Sequence, residues 1–315
     1  MARRIWGCED IASEPVQATR RIDRPLPGWA ADHRLAVSDP AVCRKLSPMR
    51  RPRLTTKSLL IAAWLCSSTL PAFVVAQTPW EKASEWPAPE ARQAAAADER
   101  FLYAITNTLV AKYDRGTGQR VAVSTGKAEH LNSGFLWEGR VYCAHSNFPK
   151  LPEQSKIMVL DPETMQLSTY KDFGSAGGSL TWSVRHEGNW WCNFARYGAE
   201  NAKTFLVKYD DSWHEQGRWT YPPEIFHELH EYSFSGGVWR DGSLLVTGHD
   251  DPVLFRFQLR NGQFQLVEKQ AVPFTGQGIA DDPSTGGLVG IDRARRKLVL
   301  AQPGKRTESP AGQRP

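Results

Sequence analysis

Cysteine is scarce in this chain. Its 315 residues include five, and only Cys143 and Cys192 lie beyond residue 76, so the main body has at most one disulfide available. An excess of positive charge is missing from the same region. Residues 77–315 carry 27 Lys and Arg against 28 Asp and Glu, and the basic balance of the whole chain belongs to its first 76 residues. A nucleic-acid footprint needs a basic stripe on the folded domain, and none is visible. There is no Gly-x-Ser-x-Gly elbow, which leaves serine-nucleophile hydrolysis without support. No compact pair such as His-x-x-x-His marks a metal site by spacing alone. Long apolar runs are also wanting. The one candidate, Leu59 to Ala76, is broken by Ser67, Ser68, Thr69 and Pro71, short of the ~18 residues a membrane span needs.

That broken run reads instead as an export signal. Met49-Arg50-Arg51-Pro52-Arg53 opens a basic segment ending at Lys57, the apolar stretch follows, and Val74-Val75-Ala76 closes it. A basic start, a short apolar centre and a small-residue exit describe a secretory signal peptide, with cleavage expected after Ala76. A lipoprotein reading at Cys66 fits poorly, because the bulky Trp64-Leu65 precede it. Residues 1–48 show no sustained period of 2 or 3.6. They are either an upstream start chosen in error, with Met49 the true start, or an extension outside the fold. The expected organisation is leader 1–48, signal 49–76, folded body 77–302 and a polar, frayed tail 303–315. It predicts an exported monomer, periplasmic or extracellular, without a membrane span once the signal is removed.

What the body does contain is a repeat. Asp241-Gly242 sits between the apolar runs Gly237-Val238-Trp239 and Leu244-Leu245-Val246, a strong hairpin signal because glycine accepts the positive φ of a tight turn. Gly139, Gly188 and Gly286 occupy equivalent turns, at separations of 49, 54 and 44 residues along the chain. Glu99-Arg100 marks one more turn before them. Such a period, with four short strands per unit, predicts an all-β β-propeller. Inner strands are expected where small residues lead into an apolar run, as at Asn132 to Trp137, Gly177 to Trp182, Ser235 to Trp239 and Gly276 to Ala280. The last unit, ending at Leu298-Val299-Leu300, is one strand short, and a strand from within 77–92 is expected to complete it and close the ring. Five blades result; six would demand more strands than 77–107 can supply.

The repeated hairpins, with the Tyr113-Asp114-Arg115-Gly116-Thr117-Gly118 and Leu160-Asp161-Pro162-Glu163-Thr164 turns, resemble those of secreted β-propellers. The group includes gluconolactonase-type, NHL-type and glutaminyl-cyclase-like proteins, and shares its blade pattern with the WD40 and YVTN repeats. The resemblance covers roughly 90–302 and implies architecture. No full catalytic signature of these families is present, so it carries no active-site residues over.

In a propeller, loops leading into the inner strands and loops leaving the second strands open on one face around the axis. Here those places are polar. Leading loops offer His130, Asn132 and Gln277; second-strand exits offer His145, Asn147, Asn193, Arg196, His249, Asp250, Asp292 and Arg293. His249 beside Asp250, and His145, are the expected acid–base groups of an enzyme. Arg196 and Arg293 would bind an anion, with His130, Asn132, Asn147, Asn193, Gln277 and Asp292 as further ligand contacts. A divalent metal, calcium or zinc, would draw on His145, His249 and Asp250. The competing reading is that such side chains cap strand ends or pair around the rim. His227 and His230, three apart, suit a surface loop better than a zinc site. Cys143 and Cys192 suit buried thiols better than a bridge. Trp137, Trp182 and Trp239 suit blade packing better than sugar platforms. The function expected is binding of a small polar or anionic molecule at the axial face, as a lactonase, cyclase or cycloisomerase-like enzyme. The alternative is a non-catalytic module binding a ligand or a cell-envelope protein.

Overall fold

The structure, a computed structural model, describes residues 79–304. The leader, the signal segment through Ala76 and the tail from residue 305 lie outside the described residues. Strand β1 (Trp80–Pro87) comes first in the chain but joins the last sheet. Blade 1 consists of β2 (Ala94–Ala97), β3 (Phe101–Ile105), β4 (Val110–Asp114) and β5 (Arg120–Val123). Blade 2 is β6 (His130–Trp137), β7 (Arg140–Ser146), β8 (Ser155–Leu160) and β9 (Leu167–Gly174). Blade 3 is β10 (Ser179–His186), β11 (Asn189–Ala195), β12 (Phe205–Tyr209) and β13 (Glu215–Thr220). Blade 4 is β14 (Gly236–Arg240), β15 (Ser243–Thr247), β16 (Val253–Arg260) and β17 (Gln263–Ala271). Blade 5 is β18 (Ala280–Asp282), β19 (Gly287–Asp292) and β20 (Lys297–Pro303), completed by β1 on its outer edge.

Every pairing between neighbouring strands within a blade is antiparallel, and the inner strands β2, β6, β10, β14 and β18 touch in a closed circle. This is a five-bladed propeller. The hairpin turns that set the period behave as their sequences require: Glu138-Gly139, Glu187-Gly188 and Asp241-Gly242 hold both central residues at positive φ, the tight hairpin geometry whose twist matches the flanking strands. β1 pairs with β20 from Trp80 opposite Pro303 to Pro87 opposite Lys297. The first and last described strands therefore share one sheet, and β20 runs through Pro303, one residue into the segment expected as tail. Across the seam, the Arg115 guanidinium grips the fully buried Asp282 carboxylate at 2.6 and 3.0 Å, tying blade 1 to blade 5.

Packing follows from strands that are apolar on both faces. Adjacent tryptophans on β11 point into different neighbours. Trp190 meets Phe135, Trp137 and Tyr142 of blade 2, whereas Trp191 lies 4.8 Å from Trp239 of blade 4. Near the axis only small residues fit. A Cβ on Gly278 would collide with the Ala94 Cβ and come within 2.9 Å of Ser133 Cα. Crowding also explains two departures from expectation. Blade 1 has four alanines as its inner strand, although alanine is a poor strand former. In blade 5 the regular inner strand begins only at Ala280, because Gly278 forms a parallel bridge to Ala94 of blade 1. Cys143 and Cys192 are free and buried. Burial pushes the Cys143 thiol up to about 12 and raises Cys192 further.

Candidate functional site

The loops at the second-strand ends gather on one axial face, as the topology demands, but they use their polar residues in two ways. One group supports the scaffold. His145 Nε2 accepts the Glu129 backbone N–H at 3.0 Å, and burial lowers its imidazole to about 4. It is a neutral ring fixing the loop before β6. Asn147 closes the 148–154 loop, donating to Pro152 O at 3.0 Å and accepting from Gln154 N at 2.8 Å. Asn193 is fully buried; it donates to Thr181 Oγ1 at 2.9 Å and accepts the Tyr221 hydroxyl at 2.8 Å. Asp292 accepts from the backbone and side chain of Arg295 within its own turn. These four take the strand-capping role.

The other group converges where blades 4 and 5 meet. The Tyr232 ring lies face to face with His249, with centroids 3.9 Å apart and planes 10° from parallel. His249 Nδ1 is 2.8 Å from Asp250 Oδ2. On the other side of the ring, Nε2 is 3.5 Å from Arg293 Nη1, and Arg293 reaches Asp250 Oδ1 at 3.6 Å. Gln277 is almost wholly buried and donates through Nε2 to the His249 carbonyl. With Asp250 accepting at Nδ1, the hydrogen-bond network assigns the ring proton there and leaves the Nε2 lone pair towards Arg293. His249 and Asp250 also wall a hollow of about 230 Å³ reaching back to Glu228 and Val253.

His130 and Asn132 approach the same mouth from blade 2. Burial lowers the His130 imidazole, a hydrogen bond with Asn132 works against that, and the positive charge of Arg293 lowers it further. Asn132 is itself anchored, donating to Leu180 O at 2.8 Å and Ser146 Oγ at 3.3 Å. The His130 ring meets Phe148 edge-on at 5.6 Å, and Phe148 packs on Tyr197 at 4.8 Å. The loops beginning at Phe148 and Tyr197 are thus joined at their first residues. Arg196 stands beside Gly177, and among the described residues no carboxylate lies within 4.0 Å of its guanidinium.

Three features escape a reading by local pattern. Tyr232 is held by a brace from a loop of the preceding blade: Asn201 Nδ2 donates to His230 O at 2.7 Å and Tyr232 O at 3.1 Å, while Gly198 N donates to Glu231 O. The turn containing His227 is a short 3-10 helix, Pro223–Glu228, that buries Ile225 and Phe226 and leaves His227 exposed. Third, Arg92 and Arg296 join Arg293 around a cleft of about 520 Å³ at the seam between blades 5 and 1. Arg92 precedes the first inner strand and Arg296 follows the last second strand, so only ring closure brings them together.

The expected metal set does not assemble. Among the described residues, no group of three or more His, Cys, Asp or Glu side chains is placed to hold a metal ion. The Nε2 lone pair of His145 is already taken by the Glu129 N–H. No helix among the described residues is long and apolar enough to cross a membrane.

No family model matches the chain, and no curated protein matches it in sequence. Its fold is shared with solved structures. A glutaminyl cyclase from Myxococcus xanthus is similar over 71% of this chain and 95% of its own, with 11% identity and a TM-score of 0.51. A luciferin-regenerating enzyme is similar over 73% of this chain and 96% of its own, with 11% identity and a TM-score of 0.45. At such identities the likeness is one of architecture, and the chemistry has to be argued from this chain's own side chains.

Proposed function

We propose that the axial face around His249 binds a small carboxylate-bearing molecule and that His249 moves a proton on it. The observation that carries this is the arrangement of one imidazole. Asp250 holds Nδ1, Tyr232 covers the ring face, and Nε2 points towards an arginine that could anchor an anion. A base fixed in one tautomer beside a cation suits proton removal or delivery near a bound carboxylate. Opening or closing a lactone or a cyclic amide, and a cycloisomerase-like elimination, all need such a step. The signal-like segment supports an exported enzyme working outside the cytoplasm. Cyclase chemistry in a neighbour of the same fold is compatible with this reading but does not carry it.

A second reading, ligand binding without turnover, is favoured by the 61% exposure of the Asp250 side chain, since water screens its hold on His249. On that reading the same face would hold a ligand or a cell-envelope protein unchanged. His249→Gln separates the two when the purified protein is given a panel of sugar lactones, hydroxy acids and cyclic amides. Turnover lost with binding retained supports the enzyme, and binding with no turnover by either protein supports the module. If neither binding nor turnover responds to the substitution, His249 is outside the site.

A further inference from the structure

The seam cleft presents more positive charge than its carboxylates neutralise. Its wall carries three guanidiniums, Arg92, Arg293 and Arg296. The one carboxylate lining it, Glu90, is already engaged: the Tyr113 hydroxyl and Arg120 both donate to it. Arg293 makes only the long contacts to Asp250 and His249. Among the described residues, no carboxylate lies within 4.0 Å of Arg92 or Arg296, and Arg296 Nη1 is buried without a hydrogen-bond partner. Three guanidiniums facing one cleft repel one another, and an anion between them would relieve that repulsion. Burial and the charges of Arg92 and Arg293 together lower the Arg296 guanidinium below its ordinary value. Across the cleft, Gln93 donates to Asn107 Oδ1, so the Asn107 amide keeps its own N–H donors for another acceptor. Among the described residues, no side chain in the cleft accepts a hydrogen bond from the guanidiniums of Arg92 or Arg296.

We infer that the cleft is a second anion subsite, taking a tetrahedral dianion such as a phosphate or sulfate group from Arg92, Arg296 and the flank of Arg293. Planar guanidinium forks match such oxygens two at a time. The volume of about 520 Å³ leaves room for more than the anion itself. Arg293 borders both this cleft and His249, so one ligand bearing an anionic group at each end would span the two. That spanning arrangement rests on the reading of the His249 site given above; the subsite itself does not.

Calorimetric titration of the purified protein with inorganic phosphate, and separately inorganic sulfate, at low ionic strength tests it. The expected result is saturable binding that weakens with added salt. It should fall on the order of tenfold in Arg296→Gln and in Arg92→Gln, with Arg196→Gln and His249→Gln unchanged. Arg92 is exposed, so its variant remains informative if Arg296→Gln does not fold. Absence of saturable binding, or equal loss in Arg196→Gln, would overturn the subsite. A loss confined to His249→Gln would also overturn it, moving the anion to the His249 site, whereas intact phosphate binding beside inert lactone assays would defeat only the reading of His249.

Discussion

Tyr232 covers the face of His249 at a centroid distance of 3.9 Å, and neither residue reaches that position unaided. Tyr232 is steadied by Asn201 of the preceding blade, and the His249 backbone by Gln277 of the following one. Asn201→Ala should leave the partly buried carbonyls of His230 and Tyr232 without their donor, at a cost of about 1 kcal/mol. Because Tyr232 would then drift, ligand affinity should fall more than the melting temperature alone predicts. Comparing thermal melts with ligand titrations in Asn201→Ala and Tyr232→Phe checks this. The Phe variant keeps the stacked ring and should bind normally.

His145 sets a pH window. Its buried imidazole sits at about 4, against ~6.5 in an unfolded chain. The folded value is depressed, so the stabilisation is fully present above pH ~6.5 and is lost as pH falls towards 4, because the unfolded state takes up the proton first. The whole effect is roughly 3 kcal/mol. Melting temperature measured from pH 7 to 4 should therefore drop, and His145→Gln should flatten the decline, leaving the part owed to His130 and His186, which burial also lowers.

Asp282 governs a more acidic window. Burial alone would raise its carboxyl, but hydrogen bonds from Arg115 and Thr285 outweigh that and hold it below the ordinary value. Its stabilisation is complete above pH ~4 and disappears as pH falls through the depressed folded value. Asp282→Ala, which leaves Arg115 largely buried and unpaired, should cost about 3–5 kcal/mol. Denaturant unfolding at pH 7 and again near pH 3 should show that penalty shrinking in acid.

The close approach between the inner strands of blades 3 and 4 is testable by one methyl group. Gly237 faces Trp182, whose ring atoms lie 2.8 Å from where a Cβ would stand. Gly237→Ala should destabilise by about 1–3 kcal/mol through overpacking, whereas Gly262→Ala, in an open hairpin turn, should show only the modest cost of its positive φ. Urea midpoints of the two variants give the comparison.

Most of the architecture was legible because it is written locally. The hairpin glycines Gly139, Gly188, Gly242 and Gly286 sit at positive φ, and that need recurs in four of the five blades. The missing strand was legible by subtraction, and β1 supplied it. Ala94 to Ala97 was not, because a strand defined by how little room it occupies carries no strand-forming residues. The candidate site divides the same way. His249 and Asp250 are chain neighbours, so their partnership was visible, and Arg293 was placed on the same face by the repeat. Nothing local distinguishes His145, Asn147, Asn193 and Asp292, which serve the scaffold, from residues that face the mouth. Burial and hydrogen-bond partners decide that. Arg92 and Arg296 are brought together only by the closed ring.

The central claim is that the cluster of His249, Asp250 and Arg293 receives a carboxylate. It is tested most directly by titrating the purified protein with small hydroxy acids while following the His249 ring protons by NMR. The account predicts saturable shifts of that imidazole, weakened on the order of tenfold by Arg293→Gln through loss of one charge-assisted contact. An imidazole that ignores every acid in the panel, or that responds equally in Arg293→Gln, would contradict it.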